Sequence, residues 1–209
     1  MSDGVKIIPK RPTEKAEAGF TLLEAVVAAI VLATVAAIAM PSFLSYVQRV
    51  KFEGAARSIA SDLRLVQSLA VSRGHRHRLL FSGNALSASP PITYRVEVDQ
   101  GTTGAPNWQL ARGVFPNDQR NISVEYPGVR IDGRAGAPSA QVTGATINQA
   151  QTFAGSEATI NIRGLAEGLG TVYLMNDAGD MLAVTLSPTG SASILRYSSH
   201  DTAGNWSSL

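Results

Sequence analysis

Three groups of residues in this 209-residue chain have types and spacings that could do chemistry. The first centres on Glu24, an acid standing at the edge of a long apolar run, four positions after Phe20 and five after Gly19. A carboxylate in hydrocarbon costs roughly 2.5–3.5 kcal/mol even on permissive insertion scales, so such a group normally has a partner. No Lys or Arg lies within a helical turn or two downstream. Cleavage just before Phe20 would create an α-amino group at the same depth. That amine, its own or a neighbouring subunit's, would pair with Glu24 and lower the cost. The second group is His75-Arg76-His77-Arg78, the densest basic cluster. As phosphate contacts or as a His-x-His metal site it is incomplete, because a zinc site takes three or four ligands and His200 is the only other histidine. The expectation is a solvated strand start. The third is Asp177 and Asp180, flanking a turn, where two carboxylates form turns more often than they hold calcium.

These residues belong to no enzyme pattern. The chain has no nucleophile elbow, phosphate loop, paired-carboxylate motif or metal-ligand spacing. It has no cysteine, which excludes a disulfide framework, a thiolate zinc site and a thiol nucleophile. No catalytic residue, metal or cofactor is expected. Lys and Arg number 18 against 16 acids, so there is neither a polybasic tail nor an acidic disordered character.

The elements that position Glu24 start with the apolar run itself. Ala25 to Gln48 is 24 residues without a charge. As a helix at ~1.5 Å per residue it would extend ~36 Å, enough to cross a ~30 Å hydrocarbon core. A secretory signal peptide cut after Ala37-Ile38-Ala39 is the competing reading. It would need a 39-residue leader whose first part mixes Asp3, Glu14 and Glu17 with Lys6, Lys10, Arg11 and Lys15. Four basic residues precede the run, and Arg49, Lys51, Arg57 and Arg64 follow it, so the positive-inside count gives no orientation.

Gly19-Phe20-Thr21-Leu22-Leu23-Glu24, followed by the apolar run, resembles the class III leader of type IV prepilins and type II secretion pseudopilins. The resemblance implies cleavage after Gly19 by a membrane prepilin peptidase and N-methylation of Phe20. It implies that Glu24 serves assembly and efficient methylation, and that Pro41 is the helix-kinking proline these proteins often carry. It also places the leader in the cytoplasm and the C-terminal domain across the inner membrane, in the periplasm.

Beyond the run, Phe52, Ala56, Ile59, Leu63, Val66 and Ala70 recur at steps of four and three, with Arg57, Ser61, Asp62, Arg64 and Ser68 on the other faces. Pro41 should bend or break the upstream part, and Gly54 should weaken the helix by about 1 kcal/mol relative to Ala. Ser72-Arg73-Gly74 reads as the C-terminus. After Gly74 the period changes to short strands over 77–82, 93–99, 107–112 and 121–126, then a meander over 158–163, 171–176, 181–187 and 191–197. Residues 133–156 are rich in Gly, Ala, Thr and Gln, read as a surface insertion or one more strand.

The tail from Ile160 to Tyr197 is similar to the closing region of the GspH/FimT family, with Gly164, Gly168 and Gly190 as turn residues. The expected organisation is a leader over 1–19, a transmembrane segment over 20–48, an amphipathic helical part over 49–74 and a β-rich domain over 75–209. The fold class is α+β and pilin-like: a long N-terminal spine helix, its first half in the membrane, on an antiparallel sheet domain. The resemblance implies a minor pseudopilin of the type II secretion system, with a FimT-like minor pilin for pilus assembly or DNA uptake as the alternative. Implied partners are the prepilin peptidase, other pseudopilins or pilins in a helical filament, and the inner-membrane assembly platform. DNA binding is not expected. The chain after Gly19 carries 14 basic against 13 acidic residues, and only Arg196 is basic in the segment just after Gly190.

Overall fold

The computed structural model of the chain describes residues 21–101, 105–141, 145–198 and 205–209. They divide into two units, one reaching to Ser45 and one from Tyr46 to Leu209. A single helix, α1 (Leu22–Arg73, 52 residues), contributes to both. With Thr21, its 22–45 portion is the described part of the first unit and has no buried residue. It is long and apolar enough to cross a membrane by length and composition.

In the second unit α1 becomes a core helix. Phe52, Ala55, Ala56, Ile59, Ala60, Leu63, Val66 and Ala70 are buried, which is the stripe that steps of three and four lay along one side of a helix. The helix stops where expected. Arg73 lies in its last turn and Gly74 takes φ +65°, the left-handed conformation that a helix-ending residue needs and glycine adopts without Cβ strain. Gly54, unfavourable in a helix by itself, has a packing reason. A Cβ there would come within 3.2 Å of the Tyr126 ring.

Two antiparallel sheets complete the unit. The first has the order β3-β2-β1-β5, built from β1 (His77–Phe81), β2 (Tyr94–Asp99), β3 (Trp108–Leu110) and β5 (Glu157–Ile160). The second has the order β4-β6-β7-β8-β9, with β4 (Val129–Ile131), β6 (Gly170–Asn176), β7 (Met181–Leu186), β8 (Ala192–Ser198) and β9 (Asn205–Ser208). Leu79, Phe81, Tyr94, Val96 and Ile160 of the first sheet and Val172, Leu174, Leu182 and Val184 of the second join the α1 stripe in one apolar cluster. Alternation along each strand selects these residues for one face. The class is therefore α+β, a long N-terminal apolar helix with antiparallel sheets.

Three expectations are corrected, and one stretch left open takes a definite form. Residues 121–126 form a short helix, α2 (Ile122–Glu125), because the Asn121 side chain accepts the Ser123 N–H and supplies an N-cap. The 158–163 strand does not belong to the closing meander: β5 pairs with β1, Leu79 opposite Ala158, and sits in the other sheet. Asp62 is buried, not on the solvated face. The described residues of that open stretch, 133–141 and 145–156, are mainly a cover for the outer face of the second sheet. Ile147 and Ala137 are buried against Tyr173, Met181 and Ala183, while the Ser139 hydroxyl is 3.1 Å from the Tyr173 hydroxyl and Trp206 Nε1 donates to the Pro138 carbonyl at 3.0 Å.

Candidate functional site: the helix start and the anchoring of the spine

Gly19 and Phe20 lie outside the described residues, as does His200. Glu24 lies in the first turn of α1 and is exposed. Its backbone N–H donates to Thr21 Oγ1 at 3.2 Å, and the Ala25 N–H donates to the Thr21 carbonyl at 3.2 Å. Thr21 is thus the N-cap and Glu24 the third helical residue, the Thr-x-x-Glu spacing of a capping box. That signal was present in the sequence and adds a second local task for the Thr21–Glu24 pair. An acid in the first turn also complements the positive end of the helix dipole.

From Leu22 to Leu44 the helix presents Leu22, Leu23, Val26, Val27, Ile30, Val31, Leu32, Val35, Ile38, Met40, Phe43 and Leu44 to its surroundings, each at least 46% exposed. A soluble helix would bury such a run; this one carries it on every side, as a lipid-facing or subunit-facing helix does. Pro41 lies inside α1 without breaking it, and the Ser45 hydroxyl donates to the Pro41 carbonyl at 3.1 Å.

The other end of the spine is fixed by a buried polar cluster that the sequence did not reveal. Tyr94 Oη donates to Asp62 Oδ2 at 2.7 Å, and Arg120 Nη1 lies 2.7 Å from each Asp62 oxygen. Arg120 also forks onto Glu125 of α2, with Nη2 2.7 Å from Oε2. One carboxylate on α1 therefore ties the spine to β2 and to the loop before α2. Burial pushes the Asp62 carboxyl above the ordinary carboxylate range, against the pull of Tyr94 and Arg120. Hydrogen bonding to Glu125, with Asp62 adding to it, holds Arg120 more firmly protonated than usual. Farther along, Gln67 Nε2 donates to the Gly164 carbonyl at 2.8 Å and to the Thr189 carbonyl at 3.2 Å, stapling two turns to α1. Gly190, at φ +78°, has no room for a side chain, since a Cβ would fall 2.3 Å from the Gly164 carbonyl oxygen. Gly168, by contrast, has open space around it.

The basic cluster of 75–78 is divided by the strand. His75 precedes β1, and its Nδ1–H donates to the Asp99 carbonyl at 3.1 Å. His77 is fully buried, which overturns the solvated reading, and its Nδ1–H donates to the His75 carbonyl at 2.8 Å. Its Nε2 has no hydrogen-bond partner, and burial holds the imidazole below its ordinary pKa. Arg78 stacks 4.2 Å over the Trp108 ring and pairs with Glu97 and Glu157 on the opposite face of the sheet. Arg76 pairs with Asp99 and Glu167. Burial works against Glu97 and Asp99 ionising, but hydrogen bonds from Arg78 and Arg95 to Glu97, and from Gly101, Asn107 and Arg76 to Asp99, outweigh it and hold both carboxyls below their ordinary range. Arg196 pairs with Glu53 of α1. These guanidinium groups are committed to carboxylates within the domain, not arrayed as a phosphate-binding stripe. Asp180 is tied to Asn176, whose Nδ2 donates to it at 3.0 Å, and Asp177 reaches Arg130 at 3.5 Å. Among the described residues no three His, Asp or Glu side chains gather as metal ligands.

No protein-family profile matches the chain, and no curated protein matches it in sequence. A solved structure with some likeness is the minor pseudopilin EpsH from the type 2 secretion system of Vibrio cholerae, at 15% identity and a TM-score of 0.43, over 70% of this chain and 97% of that one. At that overlap the chain's own elements, not the likeness, define its fold.

Proposed function

We propose that the chain is a minor pseudopilin of the type II secretion system, of the GspH/FimT type. Prepilin peptidase cuts after Gly19 and Phe20 is methylated. The mature subunit waits in the inner membrane as a single-pass protein with its β-rich domain in the periplasm. The inner-membrane platform then extracts it into a short helical filament at or near the tip, among other pseudopilins. Apolar packing of residues 20–43 against neighbouring spines replaces lipid contacts, so the transfer exposes little of that surface to water. The salt link between Glu24 and an N-terminal amine sets axial register. The work is mechanical rather than catalytic.

The observation that carries this reading is the run Gly19-Phe20-Thr21-Leu22-Leu23-Glu24 leading into 24 uncharged residues on a helix whose second half is the core of its own domain. The role is tested by deletion in the native host. Loss of exoprotein secretion with surface motility intact supports it. Loss of twitching or DNA uptake with secretion intact replaces it with a minor type IV pilin.

A further inference from the structure

Where the uncharged run ends, the first turn of α1 inside the second unit forms one wall of a cleft of about 400 Å³. Gln48 and Lys51 line that wall, Pro127–Val129 line the floor, and the β6–β7 turn at Asn176–Ala178 lines the far side. A volume of this size is within the range of roughly 300–1,000 Å³ typical of small-ligand sites. Two opposite charges face the same cleft without satisfying each other. Lys51 makes no ion pair among the described residues, and none joins it to Asp177. Among the described residues Asp177 pairs only with Arg130, at a long and exposed 3.5 Å. Its carboxylate is exposed to solvent, on a turn fixed through its backbone. The Asp177 N–H donates to the Gly128 carbonyl at 3.1 Å, and Gly128, at φ +88°, lies so close that a Cβ there would crowd Asp177 Oδ2 at 3.0 Å.

We infer that this cleft takes the zwitterionic headgroup of a phosphatidylethanolamine, its phosphate at Lys51 and its primary ammonium at Asp177. The inference rests on reading Ala25–Gln48 as a membrane span, because Lys51 then follows the last hydrocarbon-length residue by less than one turn and stands at headgroup level. A primary ammonium has three N–H donors for a carboxylate. A choline ammonium has none and is recognised by aromatic faces, which this cleft lacks. A purely anionic headgroup would satisfy Lys51 and meet repulsion from Asp177. The free headgroup in water shares the chemistry, but the position beside the membrane run favours the lipid.

The test uses the full chain reconstituted in phosphatidylcholine vesicles with equal minor fractions of phosphatidylethanolamine and phosphatidylglycerol, then extracted in mild detergent for mass spectrometry of retained lipid. Phosphatidylethanolamine should be enriched about threefold over either other lipid, the size expected of a solvent-exposed charge pair. Lys51→Gln and Asp177→Asn should each abolish that preference, and Arg49→Gln, outside the cleft lining, should keep it. No enrichment, enrichment of phosphatidylglycerol instead, or equal loss in Arg49→Gln would overturn the site. Displacement of the lipid by an equal concentration of soluble O-phosphoethanolamine would overturn the lipid as its source. Alkaline washing of the same vesicles separates the two levels. Release of the protein defeats the membrane-span reading, whereas retention without enrichment defeats the headgroup site alone.

Discussion

Replacing Asp62 with alanine should damage the domain more than any surface change, and the size follows from what the carboxylate holds. Asp62 is 5% exposed and its two oxygens receive Tyr94 Oη and Arg120 Nη1, all at 2.7 Å. Its removal leaves the Tyr94 hydroxyl, on a residue 1% exposed, without an acceptor, at about 1–3 kcal/mol. It also takes one of two carboxylates from Arg120; breaking a buried pair outright costs about 3–5 kcal/mol, and Glu125 keeps this loss below that range. The two losses overlap, so Asp62→Ala should cost about 3 kcal/mol. Asp62→Asn, which retains an acceptor for Tyr94, should cost about half as much. Arg57→Ala, which removes only an exposed pair with Glu53, should cost under about 0.5 kcal/mol. Urea unfolding of the full chain in detergent, followed by tryptophan fluorescence, reads these values. Both tryptophans, Trp108 and Trp206, lie in strands of the second unit. An Asp62→Ala loss no larger than that of Arg57→Ala, at unchanged slope, would refute the idea that this cluster anchors the spine.

Gly190→Ala should lower stability by about 1–3 kcal/mol, through the left-handed backbone and a Cβ 2.3 Å from the Gly164 carbonyl, whereas Gly168→Ala should be close to neutral in the same titration. Stability should fall in two steps on acidification. The first begins near pH 6.5, where the unfolded chain protonates its histidine while buried His77 stays neutral, so stability is lost as pH drops toward the lower folded value. His77→Leu should remove that step. The second begins near pH 4, because the depressed Glu97 and Asp99 contribute fully only above their unfolded pKa values and lose that contribution as pH falls through the folded ones. Arg78→Gln should shrink the Glu97 part of it and leave the Asp99 part. Glu24→Ala should leave the protein membrane-inserted while reducing methylation and filament incorporation, measured by mass spectrometry and filament pull-down; normal incorporation would remove the register role. A bulky residue in place of Gly19 should block processing, whereas Gly19→Ala should permit some.

Periodicity made the helix legible. Every residue of the stripe Phe52, Ala56, Ile59, Leu63, Val66 and Ala70 is buried, and Gly74 ends the helix for the reason its type implies. Strands β1, β2, β6, β7 and β8 were legible too, because each is a β-rich run bounded by turn residues. The strand expected over 121–126 failed because one Asn121 cap outweighed β-propensity over so short a segment. Pairing was out of reach: nothing local to residues 157–160 says that they lie beside β1 and not β6. Asp62 was placed with the polar faces because its type says solvent. Only Tyr94 and Arg120, 32 and 58 positions away, make its burial tolerable. At the helix start the Thr-x-x-Glu spacing carried an N-cap signal that the acid's implied role in assembly overshadowed.

The central claim is that this chain is a processed, methylated filament subunit, and the intact mass of the protein from native membranes tests it most directly. The account predicts a chain running from Phe20 to Leu209 with one added methyl group. A full-length mass would leave only a membrane anchor, and a start at Met40 would mean an exported soluble domain; either result would contradict it.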